Sequence, residues 1–495
     1  MGYLLGIDVG TSSVKSLLMD EDGTVAGIAQ KEYDMIKPRQ SWAEQEMEQL
    51  WEATAWTLRS LMAQCPQARE GISGISYSGQ MHGLVMLDKE GKEVRNTIIW
   101  ADQRSSKAID RIYEIVPREE YESVTLNALS TGFLVSSLVW VRDQEPENYE
   151  RIHKVMLPKD YIRFRMCGEL GTDMSDASST VIFDTAARQW AWDLIRRIGL
   201  EESFFVTCHE SSEIAGTVSE ACARETGLPE GVPIAYGGGD TLVQALGNGM
   251  TRPGMAISNI GTASQLVTIS KRPVYDKDFR TNTFCHVDGR RWLLMGANLS
   301  GGVSLKWLKN NVLAMESYEA MTDLAEQSLP GSDGLFFLPY LSGERTPWND
   351  PNARGIYFGL GLKHERADMI RAAMEGIIYA QKCSLEIFRE MGLSFERVIA
   401  SGGGANSRVF RQIIADQFGC EVVTNLVKEQ GCVGAAILAG VGVGVFSDYE
   451  EACSRIVRFG DEVTEPNASN HKLYEERFQV FARLYPSNRE LFALL

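Results

Sequence analysis

The 495-residue sequence has no surplus of positive charge: 49 Lys and Arg stand against 66 Asp and Glu, a formal net charge of −17. Phosphate backbones and anionic headgroups repel such a chain, which argues against general nucleic-acid or membrane-surface binding but leaves room for one local cationic pocket. Paired cysteines are missing too. The nine that occur (65, 167, 208, 222, 285, 383, 420, 432, 453) are odd in number and form no CxxC. A disulfide framework or zinc knuckle is therefore not expected, and free thiols in a reducing cytoplasm are. Six histidines make no HExxH spacing. No apolar run approaches the roughly 18 residues that span a bilayer, and the chain reaches Asp8 without the regions of a signal peptide. The expectation is a cytoplasmic enzyme without a membrane anchor.

With 44% apolar and 23% charged residues the composition is that of a globular protein, and the length exceeds what one core supports. Strands are predicted over Tyr3–Val9, Val14–Asp20 and Thr24–Tyr33, broken by Gly10-Thr11-Ser12-Ser13 and Glu21-Asp22-Gly23. An amphipathic helix over Met47–Cys65 and a strand over Gly74–Ser78 follow. A strand meander, a helix and a further strand open an RNase H-like α/β layer. The opening recurs: Ser258-Asn-Ile-Gly-Thr-Ala-Ser264 parallels Ile7-Asp-Val-Gly-Thr-Ser-Ser13, and Val398–Gly402 parallels Ile75–Gly79. The wider interval in the second copy implies an insertion around Leu335–Leu362, and a boundary is expected near Met250–Gly254. The expected domains are residues 1–250 and 251–495.

Asp8-Val-Gly-Thr-Ser-Ser-Val-Lys15 puts an acid, three hydroxyls and a lysine on one hairpin. Backbone N–H groups of a glycine turn, hydroxyls and a cation suit phosphate, and a strand-end acid suits Mg²⁺. A polar β-turn is the alternative for a lone hairpin, and the second Gly261-Thr262 turn favours a clamp from both domains. Gly237-Gly-Gly-Asp240 follows the apolar run Val232–Tyr236, so Asp240 projects from a strand end as a candidate base. Ser401–Ser407, rich in glycine, lies between a strand (Arg397–Ala400) and a helix (Arg408–Gln417), a common nucleotide-binding arrangement that fits neither the Rossmann nor the P-loop spacing. His82, in Gly79-Gln-Met-His-Gly83, and Trp100 with Asp102 are candidates for sugar contact, an indole offering a face and the acid hydrogen bonds. A structural His and a core Trp are the plainer alternatives.

Together these motifs resemble the FGGY carbohydrate kinases, most closely the xylulokinases. The resemblance runs from Gly6 to about Leu438 and includes Leu157-Pro-Lys-Asp-Tyr161, Asp173-Met-Ser-Asp-Ala177, Leu338-Pro-Tyr-Leu-Ser-Gly-Glu-Arg-Thr-Pro347 and the stretch from Arg354 to Gly376. It implies two actin-like (RNase H-like) domains with ATP and a small sugar in the cleft between them, and phosphorylation of a ketose, D-xylulose to D-xylulose 5-phosphate. By the same resemblance Asp240 is the catalytic base, Asp8 the acid associated with Mg²⁺, and Met81 and His82 the sugar pair. Thr11, Ser12 and Lys15 fall in the first phosphate loop and Gly261 and Thr262 in the second. Gly302 and Lys306 lie near the nucleotide, and Gly402, Gly403 and Asn406 match the adenosine motif. No catalytic role follows for Leu338–Pro347.

Three positions depart from the family pattern. Thr241 stands where an Asn commonly touches the sugar, Ser137 where a Lys usually precedes the apolar-Trp stretch, and the second loop reads Asn-Ile-Gly-Thr-Ala-Ser-Gln. Thr241 bears on sugar identity, because a hydroxyl lacks the two-sided bonding of an amide. Another ketose or polyol as substrate, and an actin-like or heat-shock-chaperone-like ATPase without sugar chemistry, are the competing readings. A monomer and a homodimer are both compatible with the sequence.

Overall fold

The computed structural model describes residues 2–495. Strands β1 (Tyr3–Val9), β2 (Ser13–Asp20) and β3 (Val25–Glu32) form an antiparallel meander, and helix α1 (Met47–Gln64) follows. Apolar residues at helical spacing on α1, among them Leu50, Trp51, Leu58 and Leu61, pack against Leu5, Ile7 and Val14 of the sheet. β4 (Ile72–Gly79) runs parallel to β1. The chain then leaves the sheet, building a separate core around Ile112, Leu138, Phe183 and Ile195. That excursion carries α2 (Pro158–Cys167) and α3 (Met174–Ser179). The chain returns through β5 (Ile214–Thr217), β6 (Pro233–Ala235) and the two-residue β7 (Gly238–Gly239), which runs straight into α4 (Asp240–Gly247). The sheet order is β5-β6-β4-β1-β2-β3, with β7 also on β4.

The second half comprises β8 (Met255–Ile260), β9 (Ser264–Ser270), β10 (Asn282–Cys285) and β11 (Trp292–Asn298). After a long excursion come β12 (Arg397–Ser401) and β13 (Glu421–Thr424). Their order is β10-β11-β9-β8-β12-β13. Apart from β10, this is the arrangement β3-β2-β1-β4-β6 over again, an antiparallel meander extended by two parallel strands. The RNase H-like duplication expected from the sequence is the observed fold. The insertion, however, starts earlier than expected. It comprises α5 (Gly302–Trp307), α6 (Tyr318–Ala325) and a hairpin of Phe336–Leu338 with Ile356–Phe358, before α7 (Arg366–Glu390) takes the place of α1. The first half also has an insertion, residues 80–213, that short matches could not reveal.

Helix α8 (Arg408–Phe418) joins β12 to β13, α9 (Gln430–Gly442) follows β13, and α10 (Ala468–Phe492) packs back on the second half. α4 and α9 each follow the last strand of their own sheet, and together they fill the space between the sheets. Leu242, Leu246, Val433 and Ile437 share one core with Leu4 and Leu17 of the first sheet and with Ile257 and Leu293 of the second. The first turn of α9 consequently abuts Asp8 at the end of β1. Among the described residues, no helix is long and apolar enough to cross a membrane.

Candidate active site

Asp8 stands near the end of β1 with Lys15 opposite it on β2 and Ser78 opposite it on β4. Ser78 donates its hydroxyl hydrogen to Asp8 Oδ1 at 2.7 Å. Burial raises the Asp8 pKa, against the pull of Ser78 and of the Lys15 charge. Lys15 Nζ itself contacts Glu429, just before α9, at 2.6 Å. The cation expected to hold phosphate is thus paired with an acid from the other half of the chain.

The hairpin between β1 and β2 is fixed by side chains from three segments. Trp100 Nε1 donates to Thr11 Oγ1 at 2.9 Å, and Gln45 Nε2 donates to the Thr11 carbonyl at 2.6 Å. Gln80 Nε2 in turn donates to Gln45 Oε1 at 2.7 Å. Ser12 is exposed at the tip. Trp100 is therefore tied to the hairpin by its indole nitrogen.

Asp240 is the first residue of α4, a helix start and not the bare strand end expected from its glycines. Its Oδ1 accepts from the Thr241 N–H at 2.5 Å and from the Thr241 hydroxyl at 3.2 Å. Burial, and then the charge of nearby Asp8, push its pKa up to about 7. A carboxylate tuned to that range is suited to accept a proton near neutral pH.

His82 takes a left-handed φ of 74° and stacks on Phe133 at 3.9 Å. Its Nδ1 lies 2.7 Å from the Ser179 carbonyl oxygen. A carbonyl only accepts, so Nδ1 carries the proton and Nε2 is the acceptor. Burial lowers the ring pKa to about 3, which keeps it neutral. Met81 is buried beneath Gly239 and Leu242, supporting the Asp240 turn from below.

Behind both loops lies a charge cluster. Lys159 of α2 is fully buried, with Nζ at 2.6 Å from Asp160, 2.8 Å from Asp173 and 3.5 Å from Asp176. Burial works to lower the Lys159 pKa, but the three carboxylates outweigh it and raise it. Burial holds Asp176 well above the usual carboxylate range, against the pull of Lys159. Two arms lead outward from the cluster. Ser175 bonds to Asp173 and accepts from the Gly239 N–H at 3.3 Å, while Ser179 bonds to Asp176 at 3.1 Å and accepts from the His82 N–H at 3.3 Å. The motifs at 157–161 and 173–177 thus steer the His82 and Asp240 loops, a role their spacing alone does not disclose.

Asp102 requires a correction. It is fully buried, and both of its oxygens are occupied: Oδ2 by the Ala43 N–H at 2.7 Å, and both by the Arg104 guanidinium. It braces the Trp100 turn and offers no free acceptor to a sugar. Arg104, two residues on, was the available clue.

In the second half, Gly261, Thr262, Gly302, Lys306, Gly403 and Asn406 line one cavity of about 600 Å³, whose apolar wall includes Leu305, Met374 and Phe410. The amides that open α5 dock on the second hairpin: Gly302 N–H donates to the Gly261 carbonyl at 2.7 Å, and Val303 N–H to that of Thr262 at 3.0 Å. A Cβ on Gly302 would lie 2.6 Å from the Gly261 carbonyl oxygen. Gly402 turns the chain with φ 74°, against Asn259 and Ile260. Lys428 holds the Asn406 side chain at 3.1 Å.

A Gly-Thr hairpin beside a buried acid, a carboxylate of near-neutral pKa and a glycine-lined cavity on a duplicated fold are together compatible with a sugar kinase. The N-terminal domain model of the FGGY family of carbohydrate kinases matches residues 3–247, and its C-terminal domain model residues 256–443. The chain belongs to the FGGY family of carbohydrate kinases. It is 34% identical to the xylulose kinase of Bacillus subtilis over 99% of this chain and 98% of that one. It is also 31% identical to the gluconokinase of the same organism, over 92% and 90% of the two chains. The crystal structure of ligand-bound xylulose kinase from Lactobacillus acidophilus superposes with a TM-score of 0.94 at 25% identity, covering 100% of this chain and 99% of that one. The carbohydrate kinase family sets aside the alternative of an ATPase without sugar chemistry, and it makes ATP and a small sugar the substrates.

Proposed function

We propose that this carbohydrate kinase transfers the γ-phosphoryl group of ATP to the terminal primary hydroxyl of a ketose, converting D-xylulose to D-xylulose 5-phosphate. The observation that carries the mechanism is Asp240, a carboxylate at the start of α4 whose pKa burial and Asp8 raise to about 7. The substrate follows from full-length similarity to a curated xylulose kinase. Asp240 accepts the hydroxyl proton as the sugar oxygen attacks phosphorus and the bond to the ADP oxygen breaks. His82 Nε2 accepts a sugar hydroxyl hydrogen, and Met81 shapes the pocket beneath. Thr11, Ser12, Gly261 and Thr262 contact the phosphates, and Lys15 exchanges Glu429 for them. Gly302, Lys306, Gly402, Gly403 and Asn406 hold the nucleotide.

Mg²⁺ is typically held by one or two carboxylates together with substrate phosphates and water. Asp8 suits that role, because Ser78 occupies only Oδ1. Among the described residues no group of three or more His, Cys, Asp or Glu could hold a metal. The ion would neutralise charge on the transferring phosphates.

Thr241 supports a second reading, a different sugar. Its hydroxyl is directed to Asp240, where the usual Asn would offer an amide to the substrate. A panel of pentuloses, tetruloses, polyols and aldonates in a coupled ADP-release assay tests both readings. The largest kcat/KM is expected for D-xylulose; a better aldonate or polyol would replace it, and ADP release indifferent to every sugar would overturn the proposal.

A further inference from the structure

Arg345 is a cation without a counterion at the seam between the two halves. It belongs to the insertion of the second half, yet its guanidinium lies 6.0 Å from the centre of the Trp100 ring in the first. Among the described residues no carboxylate comes within ion-pair distance of it, and burial lowers its pKa with only the charge of neighbouring Glu344 opposing. Glu344 is a poor counterion. Its Oε1 accepts the N–H groups of Leu299 at 2.8 Å and Arg345 at 2.7 Å, and burial pushes its carboxyl up to about 8, which disfavours its charged form. Arg345 is half-buried, and a guanidinium partly withdrawn from water without a partner is costly unless something supplies acceptors.

The backbone that carries Arg345 is fixed by its neighbour. Thr346 N–H donates to the Ala297 carbonyl at 2.9 Å, Thr346 Oγ1 to that of Arg280 at 2.8 Å, and Asn298 Nδ2 to that of Thr346 at 2.9 Å. The side chain therefore stands on a fixed turn at the end of β11. Its charge is felt at His82, lowering that pKa, and is not among the influences on Asp8 or Asp240. Arg345 thus stands beside Trp100 and within electrostatic reach of His82, the two first-half residues singled out for sugar contact.

We propose that Arg345 contacts the substrate, its guanidinium donating to a sugar oxygen on the side away from the phosphorylated hydroxyl, so that the second half completes a pocket otherwise built by the first. The two flanking groups are complementary: neutral His82 accepts at Nε2 and Arg345 only donates, so one hydroxyl, or two adjacent ones, can satisfy both. The proposal rests on the sugar-kinase reading and adds a contact for which Leu338–Pro347 gave no signal.

The test takes the panel sugar that the wild-type enzyme turns over fastest and compares Arg345→Gln and Arg345→Lys. With Arg345→Gln the KM for that sugar should rise about tenfold or more, equivalent to about 1.4 kcal/mol. The KM for ATP should stay within about twofold, and calorimetric sugar binding without nucleotide should weaken in parallel. Added guanidinium ion should partly restore the sugar KM, which loss of fold would not allow. Arg345→Lys keeps the charge and should lie between the two, serving as the test if the Gln variant does not fold. An active wild type whose variants keep their sugar KM and sugar binding would overturn this proposal alone. A loss confined to kcat would also overturn it, moving Arg345 to the transferring phosphoryl group. A wild type inert to every panel sugar would overturn the underlying reading as well.

Discussion

The two halves share a strand order and differ in how they hold what they bind. In the first, the groups at the site are held by hydrogen bonds and stacking from residues of other segments. Thr11 is held by Trp100 and Gln45, His82 by Ser179 and Phe133, and the turn into Asp240 by Ser175. The buried charges of Lys159, Asp173 and Asp176 stand behind them. In the second half glycines at 261, 302, 403 and 404 line the cavity, with apolar Leu305, Met374 and Phe410 and charged Lys306, Glu319, Asp323 and Arg408 completing it. The duplicated fold supplies two hairpins at equivalent places, and the difference lies in the groups around them. Proton chemistry needs titratable groups of set pKa, whereas a nucleotide needs room and N–H groups.

That contrast can be broken at either half. The largest effect is expected in the first: Asp240→Asn should lower kcat by about 10³-fold while nucleotide binding, measured by fluorescence or calorimetry, stays near normal. Near-normal turnover would remove Asp240 from its role. A smaller effect of the opposite kind is expected in the second half. In Gly302→Ala the added Cβ would meet the Gly261 carbonyl oxygen at 2.6 Å, so the hairpin must shift. The KM for ATP should rise about tenfold, or about 1.4 kcal/mol, with sugar binding unchanged. Equal damage to both KM values would mean that the halves do not divide the work in this way.

Local chemistry made much of this legible. Turn residues and alternation located β1 to β4 and α1 to within about two residues, and the second Gly-Thr turn at 261–262 disclosed the duplication. What stayed hidden was set by tertiary contact. Lys15 and Glu429 are 414 positions apart, and no pattern links them. Lys159 and Asp160 belong to the Leu157–Tyr161 motif, and only the folded chain shows them buried as a core cluster. Arg345 sits in the Leu338–Pro347 motif, for which no catalytic role followed, and its lack of a partner is visible only in three dimensions. Asp102 failed as a sugar ligand because its neighbour Arg104 claims its oxygens.

Burial and Asp8 raise the pKa of Asp240, the proposed base, to about 7, and the pH dependence of kcat/KM for the sugar reports that value. Only the carboxylate can take the hydroxyl proton, so a raised pKa means that activity is lost as pH falls. His82, neutral above about pH 3, adds nothing in that range. A plateau is expected above about pH 7.5 and a fall approaching tenfold per pH unit below about pH 6.5, with an apparent pKa near 7. A profile that stays flat down to pH 5 would contradict it.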